Sequence, residues 1–144
     1  MAALSLEDAR VIANATLVKG RETECLPLAV AVLDAGGHIK VVLREDGAGI
    51  LRTQIAEGKA WGALGLGANS RGFAERLERE PATAPALFGA FASLADGKVV
   101  PVPGGVLIRD SDAQIIGAVG VSGDVSDKDE VCALAGVDAA GYAG

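Results

Sequence analysis

The sequence predicts an α+β fold in which one antiparallel sheet carries helices packed against it. Three observations lead there. Two pairs of apolar segments, at about 27–44 and 106–122, are each joined by only a few turn residues. Connections that short pair strands antiparallel. Segments with apolar residues at helical spacing precede, separate and follow the two pairs. The chain has 144 residues, half of them apolar, which is enough to bury a core.

The elements follow in order. Ser5 with Asp8 three residues later resembles a capping box, and Leu6, Ala9, Ala13, Thr16 and Leu17 recur at helical spacing. A first helix is expected over about 5–19, with Gly20 as its stop. The apolar run 27–34 reads as a buried strand, Asp34-Ala-Gly-Gly37 as a turn, and 38–44 as the returning strand. Residues 49–65 read as a second helix, weakened by Gly58, Gly62 and Gly65 unless another backbone packs closely there. Residues 70–79 form a charged amphipathic helix with Phe73 and Leu77 inward.

Two prolines make 80–86 a loop, and Leu87–Phe91 a short apolar turn or helix. Lys98-Val-Val-Pro-Val-Pro103 is an edge strand or an extended loop, because proline is confined to sheet edges. Residues 106–110 and 114–122 form a second hairpin around Ser111-Asp112-Ala113. Ser126 then caps a final helix at about 127–139. The sheet therefore holds about five strands. No repeat or linker divides the chain, so 1–144 reads as one domain.

Composition narrows the function. The formal charge is −6 with no basic block, which argues against nucleic acid. No apolar run reaches the roughly 18 residues of a membrane span. The start, Met1-Ala-Ala-Leu-Ser-Leu-Glu-Asp8, lacks the basic and apolar regions of a signal peptide. Cys25 and Cys132 have no CxxC or zinc spacing. Both are expected to be reduced thiols, and the protein cytoplasmic.

The stretch Ala29–Ala48 gathers the chemistry. The only histidine, His38, sits where the turn enters the second strand. Asp34 opens that turn, and Arg44 and Asp46 close the hairpin. An imidazole suits proton transfer near neutral pH or ligation of a metal. The competing reading is a histidine that closes the turn through Asp34 or the backbone. Arg44 is a candidate carboxylate clamp or a partner in an ion pair.

Four segments in order resemble the GlcG/HbpS-like family, also called haem-degrading domain proteins. They are Val32-Leu-Asp-Ala-Gly-Gly-His38, Arg44-Glu-Asp-Gly-Ala48, Ile55-Ala-Glu-Gly-Lys-Ala-Trp61 and Ile116-Gly-Ala-Val-Gly-Val-Ser-Gly123. Related sequences include the C-terminal domain of PduO-type cobalamin adenosyltransferases. The resemblance covers nearly the whole chain. It implies a profilin-like or roadblock-like fold, and homo-oligomers as dimers or larger rings and octamers. It also implies haem or another tetrapyrrole as ligand, with roles in haem turnover or sensing. One departure stands out: Gly104-Gly-Val-Leu-Ile108 has Leu107 where members usually carry proline. Any histidine-ligated haem here must use His38.

The resemblance also points to a pocket near the hairpin. Lys59, mid-helix beside Trp61, is expected to face it as an anion-binding or catalytic lysine; an exposed helix lysine is the alternative. Trp61 is a candidate pocket wall, or else core or interface. Gly104 and Gly105 are candidates for close backbone approach to a ligand, against a plain strand connection. Ser122 and Gly123 lead to a helix N-terminus suited to an anion, or form a simple turn.

Three functions are consistent with this inventory. The first is haem binding through His38. The second is an enzyme without cofactor, an isomerase, dehydratase or lyase, in organic-acid or natural-product metabolism. There His38 is the acid or base, Lys59 and Arg44 hold anionic groups, and the Ser122 and Gly123 amides stabilise negative charge. The third is a non-catalytic oligomeric scaffold.

Overall fold

The structure, a computed structural model, describes residues 3–144. Five helices and four strands follow in the order α1 (Leu6–Glu22), β1 (Ala29–Asp34), β2 (Ile39–Arg44), α2 (Arg52–Leu66), α3 (Ser70–Arg79), α4 (Ala84–Leu94), β3 (Gly105–Arg109), β4 (Ile115–Ser122) and α5 (Ser126–Ala139). The strands form one sheet in the order β2-β1-β4-β3, antiparallel throughout.

Alternation along the strands sends side chains to two cores. Val30, Val32, Val106, Ile108, Val119 and Val121 meet α1 and α5 through Ile12, Ala13, Cys132 and Val137. Leu33, Leu107 and Ala118 meet α2 through Ala60 and Ala63. A third cluster, Phe73, Ala84, Phe88 and Val99, joins α3, α4 and the segment after α4. The α2 helix lies on the sheet backbone itself. A Cβ on Gly120 would fall 1.8 Å from the Ala56 carbonyl oxygen, and one on Gly105 would fall 2.2 Å from that of Lys59. These strand glycines let a helix of small residues sit unusually close.

Both hairpins use one turn chemistry. Asp34 Oδ1 accepts from the amides of Gly36 and His38, and Asp110 Oδ1 from those of Asp112 and Gln114. The fourth turn residue is left-handed in each, Gly37 at φ +80° and Ala113 at φ +61°. Each partner strand takes a register irregularity beside its turn, as expected for a type I turn plus bulge.

Several expectations change. The α1 helix runs through Gly20 to a cap at Thr23. Gly20 faces Leu28, whose Cδ1 would lie 2.5 Å from an added Cβ, so this glycine admits a neighbour and does not end the helix. The α4 helix begins at Ala84, inside the expected loop, because Pro85 in its first turn has a fixed φ suited to a helix start. The segment 98–103 takes the second of its two expected forms, an extended loop, and the sheet has four strands. The outer edge of β3 is instead met by Asn69 and Ser70, which bond the amides of Leu107 and Gly105, and by Ala143 paired with Arg109. Ser126 is the first residue of α5 and Val125 its cap; Asp129 reaches back to the Asp124 amide in place of a serine cap.

Candidate functional site

The sheet register divides the candidate residues between its two ends. Ala29 pairs with Ser122 and Arg44, whereas Asp34 pairs with Gly117 and lies at the His38 turn. The five steps from Ala29 to Asp34 span about 17 Å.

At the hairpin end, Asp34 ties the turn and His38 stands exposed beyond it, its ring beside Gly36. Trp61 projects from α2 across Gly37; its Nε1 would lie 2.8 Å from a Cβ there. Only glycine serves at that position, since the indole and the left-handed backbone both exclude a side chain. Lys98 Nζ sits 5.5 Å from the centre of the indole, a cation–π distance. On its far side Trp61 walls an open apolar cleft with Gly65, Leu66, Phe91, Leu94 and Ala95. Leu94 is 87% exposed.

The opposite end is closed. Lys59 is buried, and its ammonium donates to the Val121 carbonyl at 2.8 Å and to Asp129 Oδ2 at 3.0 Å. Asp129 is also buried, and its other oxygen accepts from the Asp124 amide. Burial lowers the Lys59 pKa and raises that of Asp129, each against the opposing pull of its partner's charge. Desolvation therefore outweighs attraction within this pair. Gly104, at φ +123°, leaves room for the ammonium: a Cβ there would lie 3.0 Å from Nζ. Ser122 is buried and its hydroxyl accepts from Arg52. A Cβ on Gly123 would strike the Pro27 carbonyl oxygen.

The expected pocket-facing Lys59 is thus corrected. It points from α2 past the end of β4 to α5, because a buried carboxylate and a strand-end carbonyl are its partners. Gly104, Gly105 and Gly123 admit protein backbone or Lys59, which accounts for them without a ligand. Arg44 donates to the Ala48 carbonyl and, with Arg21, Glu45 and Asp46, lines a shallow groove. His38 therefore shares its end with Asp34 and Trp61, and lies apart from Lys59, Arg44, Asp46, Ser122 and Gly123. One chain does not bring the proposed acid–base and anion-holding groups together.

Sequence reasoning missed Asp129, Lys98 and the Leu94 cleft. Ser126-Asp-Lys-Asp129 carries a capping-box spacing that pointed to Asp129. Lys98 and Leu94 have no local signal, since they reach Trp61 only through the path of the chain after α4. Among the described residues no group of three or more His, Cys, Asp or Glu side chains could hold a metal ion, and no helix is long and apolar enough to cross a membrane.

With this geometry in place, comparison with known proteins is specific. Residues 4–138 match the family model for haem-degrading HbpS-like proteins. The chain belongs to the HbpS-like family. It is similar to the crystal structure of a PduOC–haem complex, with a TM-score of 0.85 and 26% identity over 98% of this chain and 97% of that one. It is equally similar in fold to the Klebsiella pneumoniae protein ORFY, at TM-score 0.85 and 25% identity, covering 98% and 93%. A double mutant of HbpS from Streptomyces reticuli follows at TM-score 0.78 and 28% identity, covering 96% and 87%. Among curated sequences, the corrinoid adenosyltransferase PduO of Salmonella typhimurium strain LT2 is 28% identical over 127 residues. That match takes in 88% of this chain and 36% of PduO, so the chain spans about a third of that relative's length.

Proposed function

We propose that this protein binds haem at the hairpin end of the sheet, with His38 as the ligand to iron, in a role in haem turnover or sensing. One observation carries the reading: the exposed imidazole of the only histidine lies at a turn covered by Trp61, which also walls an open apolar cleft. Each residue type suits one part of the group, with His38 at one edge of the Trp61 indole and the cleft at the other. An imidazole nitrogen ligates haem iron, the Trp61–Phe91–Leu94 surface suits a flat apolar macrocycle, and the Lys98 ammonium suits a propionate carboxylate. Haem, when bound, supplies a redox-active iron; the chain supplies the ligand, the apolar wall and the cation. Support also comes from the haem-degrading family and from the haem-bound PduOC structure.

Titration of the protein with hemin tests this. The expected result is a shifted Soret band with quenching of Trp61, the only tryptophan. His38→Ala is expected to lose the shifted band while keeping its far-UV circular dichroism. An unshifted band in the natural protein, or an identical spectrum in the variant, would remove His38 from this role.

We further propose that the protein works as a homo-oligomer. Ile50, Leu51 and Leu94 are exposed by 89%, 59% and 87%, and large apolar side chains left open in this way mark association surfaces when they cluster.

A further inference from the structure

The two cysteines lie 107 positions apart in sequence, yet their sulfur atoms are in contact. Cys25, in the connection between α1 and β1, has its Sγ 3.9 Å from that of Cys132 in α5. Both are free thiols inside the main core, 4% and 0% exposed. Gly20 of α1 places no side chain between the helix and the thiols: its Cβ position is 3.9 Å from Cys132 Sγ. The Cys25 segment is held in place from outside the pair. The Cys25 amide bonds to the Gly20 carbonyl, and Arg21 bonds to the carbonyls of Cys25 and Leu26.

We propose that Cys25 and Cys132 are a modification site, a thiol pair that a hydroperoxide closes to an intramolecular disulfide. A disulfide needs its sulfur atoms about 2.05 Å apart, so closure brings these two together by about 2 Å from their 3.9 Å separation. The less buried thiol reacts first. Cys25 gives up its proton and attacks an oxygen of hydrogen peroxide, the O–O bond breaks, and Cys25 becomes a sulfenic acid while the departing hydroxide takes up that proton and leaves as water. Cys132 sulfur then attacks Cys25 sulfur, the S–O bond breaks, and the departing hydroxide takes the Cys132 proton to form a second water. The two thiols lose two electrons and two protons, and the peroxide is reduced to water. The order fits the environment of Cys132, whose thiol is pushed up to about 12 by burial and by the neighbouring Cys25. That thiol does not start the chemistry, and it is in place to finish it.

The bond would tie the α1–β1 connection to α5 and close a loop of most of the chain. Long loops gain the most from such a closure, because the unfolded chain loses the most freedom.

The test uses the natural full chain. It is treated with hydrogen peroxide, then denatured and alkylated, and its intact mass and unreduced proteolytic peptides are measured. The expected product is monomeric in covalent terms, lighter by two hydrogens and without alkyl groups. A peptide joining Cys25 to Cys132 appears, and dithiothreitol restores two alkylatable thiols. The oxidised form is expected to melt higher by on the order of 10 °C. Under the same treatment Cys25→Ser should show no loss of mass. Two thiols that still alkylate after peroxide, stable oxygen adducts in place of the cross-link, or disulfides only between chains would each overturn the proposal. These outcomes need only the natural chain, so the proposal is decided even where the serine variant does not fold.

Discussion

Single residues decide the two turns, and the comparison between them gives a prediction. Gly37 and Ala113 occupy the same left-handed position of matching hairpins. Alanine there suffers the Cβ strain that glycine avoids, roughly 1–2 kcal/mol, while glycine frees the unfolded chain by about 0.4–1 kcal/mol. Ala113→Gly is therefore expected to stabilise the protein by about 0.5 kcal/mol. Gly37→Ala is expected to destabilise it by more than about 1 kcal/mol, since the strain is joined by a collision with Trp61. Urea unfolding of both variants checks the pair of signs; a destabilised Ala113→Gly would mean that the turn is not strained. This scale was the most legible. Asp34-Ala-Gly-Gly37 and Asp110-Ser-Asp-Ala113 announced turns through side-chain chemistry that acts within a few residues. The role of Gly20 was not legible, because a helix stop and a packing contact ask for the same residue and only the position of Leu28 separates them.

Between elements, the buried Lys59–Asp129 pair joins α2 to α5 across the end of β4. Helix spacing located Lys59 on α2, but its direction depended on pairing with Asp129, 70 residues away, and the local capping-box spacing marks Asp129 without reporting that partner. The pair yields asymmetric predictions. Lys59→Met leaves a buried carboxylate without its cation and should lose about 3–5 kcal/mol near neutral pH. Replacing both as Lys59→Met with Asp129→Leu removes both desolvation terms, and should return stability to within about 2 kcal/mol of the natural protein. The remaining deficit reflects the Asp124 amide, which loses its acceptor. The pH dependence of the single variant follows from the direction of the Asp129 shift. Burial already holds this carboxyl above its usual range against the pull of Lys59, and removing Lys59 raises it further. A carboxyl whose folded pKa exceeds its unfolded one binds its proton more tightly when folded, so its stabilising contribution is present in acid and is lost as pH rises through the folded value. The deficit of Lys59→Met should thus shrink between pH 7 and pH 4. Denaturation midpoints across that range are the measurement, and a constant or growing deficit would contradict a buried, unpaired Asp129.

At the scale of the molecule, the order of helices and hairpins was visible in the sequence because periodicity and turns are local. The separation of His38 from the Ser122 end was not, since the strand order β2-β1-β4-β3 alone fixes which ends meet. That layout leaves the α2 side of the molecule with exposed apolar groups around two clefts. One is walled by Trp61, Phe91 and Leu94, the other by Leu51, Ile55 and Val100 together with Gln54, Glu57 and Asp96, and both are bordered by the segment that follows α4. An isolated 14.4 kDa chain would keep Ile50 and Leu94 in water, whereas association removes them at a gain of about 25 cal/mol per Å2 of apolar surface. The expected solution mass, by light scattering on a sizing column, is therefore a multiple of the chain mass. Leu94→Glu places a charge where desolvation would be required and should shift the mass toward a single chain, with the far-UV spectrum unchanged. Because Leu94 also borders the Trp61 cleft, the same variant should weaken the hemin-induced quenching of Trp61 while leaving His38 in place. A natural protein that elutes at the mass of one chain at high concentration would overturn the association reading.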